Sequence, residues 1–160
     1  MSKINEHNIS RAAILSNVIY NVNETKQWSN ENKWHKTTFW SKGISLKRNL
    51  IGNDGVIKVG YTIEDQTLYL TYSGTQDIEF WLYNADTDVR YFHGIGLHDG
   101  FLSLAEEVET VLVKDNYIFN LIKDNSIKKV VHCGHSAGGA VAGIMAFKFF
   151  ESDAYYGEGL

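Results

Sequence analysis

The sequence predicts a layered α/β fold, and three observations carry that expectation. Two runs rich in β-branched and aromatic residues, 56–63 and 67–72, flank the polar break Glu64-Asp65-Gln66 and read as a hairpin. From Phe101 to about Lys123 the apolar positions Leu104, Val108, Val111, Leu112, Ile118 and Leu121 recur at near-helical intervals, making the longest helix of the chain. A short apolar run, 128–133, then leads into residues 137–150, which are rich in Ala, Gly and Phe and of helical length. A strand, a long crossover helix and a second strand call for right-handed connections in a sheet covered by helices.

Around that core the reading is simpler. Ala12, Leu15, Val18 and Ile19 fall at helical spacing behind the candidate caps Asn8 and Ser10, which predicts an amphipathic helix packed across the sheet. Residues 21–42 are polar and carry Trp28, Trp34 and Trp40 without a clean period, so loop or short helical turns are expected there. Gly74 should stop the second strand, leaving 75–97 as a long connection of the kind that often serves function. The whole of 1–160 reads as one domain: a helical and irregular segment over 1–55 and a sheet core over 56–160.

Composition removes several classes of function. A chain of 160 residues that is 44% hydrophobic can bury one sizeable core. The formal net charge of −4, with lysines scattered among acids, offers no electrostatic footprint for nucleic acid. The one cysteine, Cys133, excludes an internal disulfide framework and fits a reducing compartment. The first residues are polar, the apolar positions after them are broken by Ser16 and Asn17, and no stretch reaches transmembrane length, so a soluble and cytoplasmic chain is expected. The six histidines are dispersed without a His-x-x-x-His or His-Glu-x-x-His pair, so neither a metal site nor a cofactor is expected.

The stretch that carries chemistry is Gly134-His135-Ser136-Ala137-Gly138, a match to the Gly-x-Ser-x-Gly elbow. In such an elbow glycines flank the serine because the strand-to-helix turn brings backbone atoms too close for side chains, and the serine projects at the sheet's C-terminal edge as a nucleophile. A buried glycine-rich junction would carry the same glycines. The apolar strand before Ser136 and the helix after it, with Gly138, Gly139, Ala140 and Gly143 permitting close approach, favour the nucleophile. His135 is a poor candidate for its base, since neighbours on the turn point apart, and is expected to pack. His132 reads as a core or edge histidine, and Cys133 as buried filler.

Four segments follow one another in the order seen in class 3 lipases: Leu70-Thr71-Tyr72-Ser73-Gly74-Thr75, Trp81-Leu82-Tyr83-Asn84, Leu97-His98-Asp99-Gly100-Phe101, and Gly134 through Ala140. Over roughly 56–150 the chain resembles that family. The resemblance implies an α/β-hydrolase-like, mostly parallel sheet flanked by helices, incomplete at its C-terminus. It implies a hydrolase of carboxylic esters, triacylglycerols or phospholipids among them, working through an acyl-enzyme on Ser136. The partner is then a lipid or ester small molecule, with transient contact at a lipid interface. The backbone N–H groups of Thr75 and Ala137 match the oxyanion-hole donors, which stabilise the tetrahedral intermediate where its negative charge develops. Two departures stand out: Ser73 replaces the usual arginine and Ala137 the commoner leucine, and a backbone donor survives either change. Residues 76–97 match the lid region, with Phe80, Leu82 and Tyr83 as substrate contacts and Trp81 as a packing residue. His98 matches a structural histidine, and His93 matches nothing.

The family's order is serine, aspartate, histidine, and no histidine follows Ser136 in this sequence. Of the later acids Glu151, Asp153 and Glu158, Asp153 follows the elbow helix too closely to match the triad acid. The expectation is a truncated domain whose acid and base lie past Leu160 and whose turnover is impaired. The rival expectation is a non-catalytic hydrolase-fold module that binds a lipid or a protein partner.

Overall fold

The structure, a computed structural model, describes residues 6–21, 28–30, 37–45, 56–74 and 88–151. Helix α1 (Glu6–Val18) continues into a 3₁₀ turn (Ile19–Asn21). Strands β1 (Trp28–Asn30), β2 (Thr37–Ser45), β3 (Val56–Glu64) and β4 (Thr67–Tyr72) come next, then β5 (Val89–Phe92) and β6 (Ile95–His98). Helix α2 (Asp99–Val113), a 3₁₀ turn (Lys114–Asn116), helix α3 (Tyr117–Asp124), strand β7 (Lys129–Gly134) and helix α4 (Ala137–Glu151) complete the order.

One sheet runs β1-β2-β3-β4-β7, and β5 with β6 forms a separate two-stranded ribbon. The first three pairings of the large sheet are antiparallel, as hairpin-length connections require, and only β4 with β7 is parallel, from Thr67 opposite Lys129 to Tyr72 opposite Gly134. The sheet expected to be mostly parallel therefore has one parallel pair among the described residues. It is the pair that a crossover through α2 and α3 creates. The β3–β4 turn is the tight two-residue kind, with Asp65 and Gln66 both left-handed at φ 47° and 58°.

Three further expectations need correction. Residues 21–42 contain β1 and much of β2 instead of loop or helical turns, and β2 pairs with β3 from Trp40 opposite Tyr61 to Ser45 opposite Val56. The sheet thus begins before residue 56, and no boundary at 55 divides it from its N-terminal strands. The Thr-Thr-Phe-Trp run at 37–40 has strand propensity but no alternation, because partner hydrogen bonds rather than a one-sided apolar pattern make this strand. The single long helix is two: Asn116, left-handed at φ 56°, ends the 3₁₀ turn and starts α3 on a new axis. The connection 75–97 contains the β5–β6 hairpin, turned by His93 and Gly94 at φ 48° and 80°.

Alternation along β4 assigns the two faces of the sheet. Leu68, Leu70 and Tyr72 point with Ile57 and Val59 toward Leu102, Ala105 and Val108 of α2, Ile118 of α3, and Val141, Met145 and Phe149 of α4. Tyr69 and Cys133 point the other way, onto Leu15, Val18 and Ile19. Helix α1 therefore covers one face and α2 to α4 the other, a three-layer α/β/α sandwich. Arg11 of α1 pairs with Glu64 of β3, and the Tyr69 hydroxyl donates to Asn8 Oδ1 at 2.9 Å, so the α1 layer is held by polar as well as apolar contacts.

His132 lies within β7 on the side that faces α4. Its ring stacks on Tyr72 at 6.0 Å between centroids, meets Phe149 edge-on at 4.7 Å, and places Nδ1 2.8 Å from the Tyr72 hydroxyl. Nε2 is buried and, among the described residues, has no partner. Burial pushes the pKa down from 6.5 to about 3, so the ring stays neutral. An unfolded chain takes up a proton near pH 6.5 that the folded one refuses, and the stability present above that pH is lost as pH falls toward 3. Denaturation followed between pH 7 and 4 should show this loss, and His132→Gln, which can still accept from Tyr72 but does not titrate, should show a shallower acid limb. An equally steep limb in the variant would place the acid sensitivity elsewhere.

Candidate active site

Ser136 stands between β7 and α4, exposed, with φ 59°. A non-glycine residue in this left-handed region costs about 1–2 kcal/mol and persists only where its surroundings force it. Here the force is the packing of the elbow against β4. A Cβ on Gly138 would sit inside contact distance of the Tyr72 carbonyl oxygen, and one on Gly134 inside contact distance of the Gly138 carbonyl. Helix α4 then starts at once: Gly138 N–H donates to His135 O at 3.0 Å and Gly139 N–H to Ser136 O at 2.9 Å. Ala137 is 1% exposed, and its N–H opens the helix at the positive end of the helix dipole with no partner among the described residues.

The end of β4 meets this turn. Ser73 is buried and closes the strand pair to β3 twice, its N–H donating to Lys58 O at 2.9 Å and its Oγ accepting from Lys58 N–H at 2.7 Å. Gly74 N–H donates to the hydroxyl of Tyr20 at 2.9 Å, and that hydroxyl lies 3.3 Å from His135 Nδ1. Thr75 lies outside the described residues, as do Phe80, Trp81, Leu82 and Tyr83, so the expected second oxyanion donor and lid contacts are not placed. Gly74, one peptide before Thr75, abuts the elbow: a Cβ on it would lie 3.2 Å from His135 O and 3.5 Å from Ser136 Cβ.

The histidines fall apart from one another. His98 caps α2, its Nδ1 accepting from Gly100 N–H at 3.2 Å. His93 turns the β5–β6 hairpin with its ring 4.5 Å from that of Phe92. His135, expected to pack, is exposed and edge-on to the Tyr20 ring at 6.1 Å, because the left-handed turn at Ser136 carries its neighbour out of the core. Cys133 is buried against Thr71 Oγ1 at 3.2 Å, and burial pushes its thiol pKa up, the opposite of an activated nucleophile. Among the described residues the Ser136 hydroxyl has no hydrogen-bond partner, and no cluster of histidines, cysteines and acids could hold a metal ion.

Beside the elbow runs an apolar groove of about 440 Å³. Ile95, Leu97 and Phe101 line one side, and Ala140, Ile144 and Phe147 the other, so it begins on the first turn after Ser136. Arg90 anchors the β5–β6 side of the groove to α2 through Asp99 at 2.7 Å and Glu106 at 2.9 Å. Lys148 bridges to Glu109 at 2.6 Å with its ammonium 4.6 Å from the centre of the Phe92 ring. Among the described residues no helix is long and apolar enough to cross a membrane.

Tyr20 and Lys58 are the site neighbours that sequence reasoning missed. Tyr20 precedes His135 by 115 positions, and no local pattern links the two. The elbow glycines make a sharper expectation: Gly138→Ala should cost about 3 kcal/mol or more, read as a fall in the urea midpoint, because the colliding atom is backbone and cannot rotate away. Gly143→Ala, where an added Cβ meets nothing within 4 Å, should not be destabilising.

The family profile of lipase (class 3) matches residues 69–155, more than half of the chain. Among solved structures, the native propeptide complex of Rhizomucor miehei lipase superposes with a TM-score of 0.65 at 20% identity, over 94% of this chain and 50% of that one. The lipase of Rhizopus microsporus var. chinensis gives 0.53 at 20% identity, over 72% and 40%. A triacylglycerol lipase described as having a serine-protease triad at its catalytic centre gives 0.58 at 20%, over 91% and 56%. At these identities the likeness is one of fold, the α/β-hydrolase fold, and the chain spans about half the length of the lipases it matches. No curated protein matches it in sequence. On the family match over residues 69–155, the chain belongs to the class 3 lipases.

Proposed function

We propose that Ser136 is the nucleophile of a lipase or esterase, attacking the carbonyl carbon of a carboxylic ester to form an acyl-enzyme. The observation that carries this reading is the strained, exposed Ser136 followed, at the start of a helix, by an Ala137 N–H that has no partner among the described residues. In the proposed reaction the alcohol leaves with a proton, the acyl group stays on Ser136 Oγ, and water then releases the acid. Ala137 N–H and the N–H of Thr75 receive the oxyanion, each contributing about 10²–10³ in rate. Phe80, Leu82 and Tyr83 contact the substrate from the lid. The groove that starts at Gly139 supports an apolar acyl chain on the acid side, in acylglycerols or phospholipids, and an approach to a lipid surface. Among the described residues no side chain is hydrogen-bonded to the Ser136 hydroxyl as a general base would be. A serine hydroxyl with no partner among the described residues also favours a second reading, a non-catalytic module that seats a lipid or a partner protein over the same groove.

An alkyl fluorophosphonate probe separates the two. The wild-type chain should label at a rate that Ser136→Ala abolishes; equal labelling of both would reject Ser136 as an activated nucleophile and leave the binding module. Ser136→Gly should also lose all labelling, yet unfold at a higher temperature, because glycine adopts the left-handed turn without the strain, a gain of up to about 1 kcal/mol. A lower unfolding temperature for Ser136→Gly would show that the serine is not strained.

A further inference from the structure

The Tyr20 hydroxyl joins the two backbone segments of the proposed site. It accepts the Gly74 N–H at 2.9 Å, and its own proton faces His135 Nδ1 at 3.3 Å and His135 O at 3.4 Å. Gly74 carries the peptide that ends in the Thr75 N–H, and His135 carries the peptide that begins Ser136. One side chain therefore sets the spacing between the strand that leads to one oxyanion donor and the turn that holds the nucleophile. The fit is close: a Cβ on Gly74 would come within 2.7 Å of the same hydroxyl oxygen. Tyr20 is itself held, since Lys58 Nζ donates to its carbonyl oxygen at 3.3 Å. Lys58 is the residue that Ser73 grips by both backbone groups, so the clamp closes on the position where arginine is usual in the family.

We propose that Tyr20, braced by Lys58 and Ser73, is a positioning residue for this site, acting through Gly74 and His135 and not on the substrate. It rests on the reading of Ser136 as nucleophile. Geometry of this kind is worth a large factor, because a displacement of about 1 Å at a reacting centre can cost about 10²-fold in rate. The clamp joins the helical layer on one face of the sheet to the elbow, so the 3₁₀ turn at Ile19–Asn21 has a part in the site as well as in packing.

The full chain carrying Tyr20→Phe is compared with wild type, Lys58→Met and Ser136→Ala. Three quantities are read: hydrogen exchange at the Gly74 amide by NMR, the rate of labelling by an alkyl fluorophosphonate, and the ³¹P resonance of the labelled serine. In Tyr20→Phe, Gly74 exchange should rise at least about tenfold while Leu70 in mid-strand stays protected. Labelling should fall about tenfold to a hundredfold, and the ³¹P resonance should move, because the phosphonyl oxygen meets a displaced donor. Lys58→Met, which keeps the hydroxyl, should show smaller changes of the same sign and stands in for Tyr20→Phe if that variant fails to fold. Unchanged Gly74 exchange would show that the bond does not hold the strand, and unchanged labelling with an unmoved ³¹P resonance would show that it positions nothing; either overturns the proposal. A wild type that labels no faster than Ser136→Ala also overturns it, by removing the nucleophile, and the Gly74 exchange then still shows whether the bond exists.

Discussion

Every feature of the candidate site depends on one close approach, that of the first turn of α4 to the last carbonyl of β4. Tyr72 O and Gly138 come so near that no side chain fits between them, and Gly134 and Gly138 meet in the same way across the elbow. The parallel pairing of β4 with β7 sets this distance, because Tyr72 and Gly134 are register partners. With both ends fixed, the two residues between strand and helix, His135 and Ser136, have no room for an ordinary right-handed turn. The strain at Ser136 is thus imposed by packing, and exposure of its hydroxyl follows from the same turn.

The two helical layers contribute unequally to that arrangement. The α2 to α4 layer supplies the apolar mass against Leu68, Leu70 and Tyr72, and α4 itself directs its N-terminal dipole at the turn. Its charged contacts, Arg90 with Asp99 and Glu106 and Lys148 with Glu109, join the β5–β6 ribbon to α2 and α2 to α4, which holds the groove walls at a fixed separation. Exposed pairs such as those of Arg90 add little stability, so their effect is mainly geometric. The α1 layer is smaller, yet it too reaches the site, through the Tyr20 hydroxyl at Gly74 and His135.

Much of this fold was legible in the sequence, and the reason is locality. The β3–β4 hairpin, the strand of β7 and the helix after it each advertise themselves within about ten residues, by alternation, by an apolar run or by small-residue helical spacing. The elbow was legible because its glycines answer a contact four residues away. What escaped was non-local. Strands β1 and β2 lack a one-sided pattern and exist through pairing, β1 with β2 and β2 with β3, and in the β5–β6 hairpin the apolar Val89, Tyr91 and Ile95 are exposed residues, so residue type does not follow burial there. The break at Asn116 was hidden because apolar residues continue on both sides of it at spacings one helix could satisfy. His135 was misjudged because its direction depends on the sign of φ at its neighbour, which no side-chain pattern encodes.

By itself the sequence determined the class of the fold, the place of the glycine-flanked serine turn and the resemblance to class 3 lipases, since each rests on residue types at short, ordered spacings. The tertiary structure alone decided which strands pair in parallel, that Tyr20 borders the elbow with Lys58 holding it from β3, and that the nitrogen Nε2 of His132 is buried without a partner among the described residues. Those outcomes come from chain segments tens of residues apart meeting in space. Closing such loops costs entropy that only the assembled core offsets, so no local segment of the sequence carries their signature.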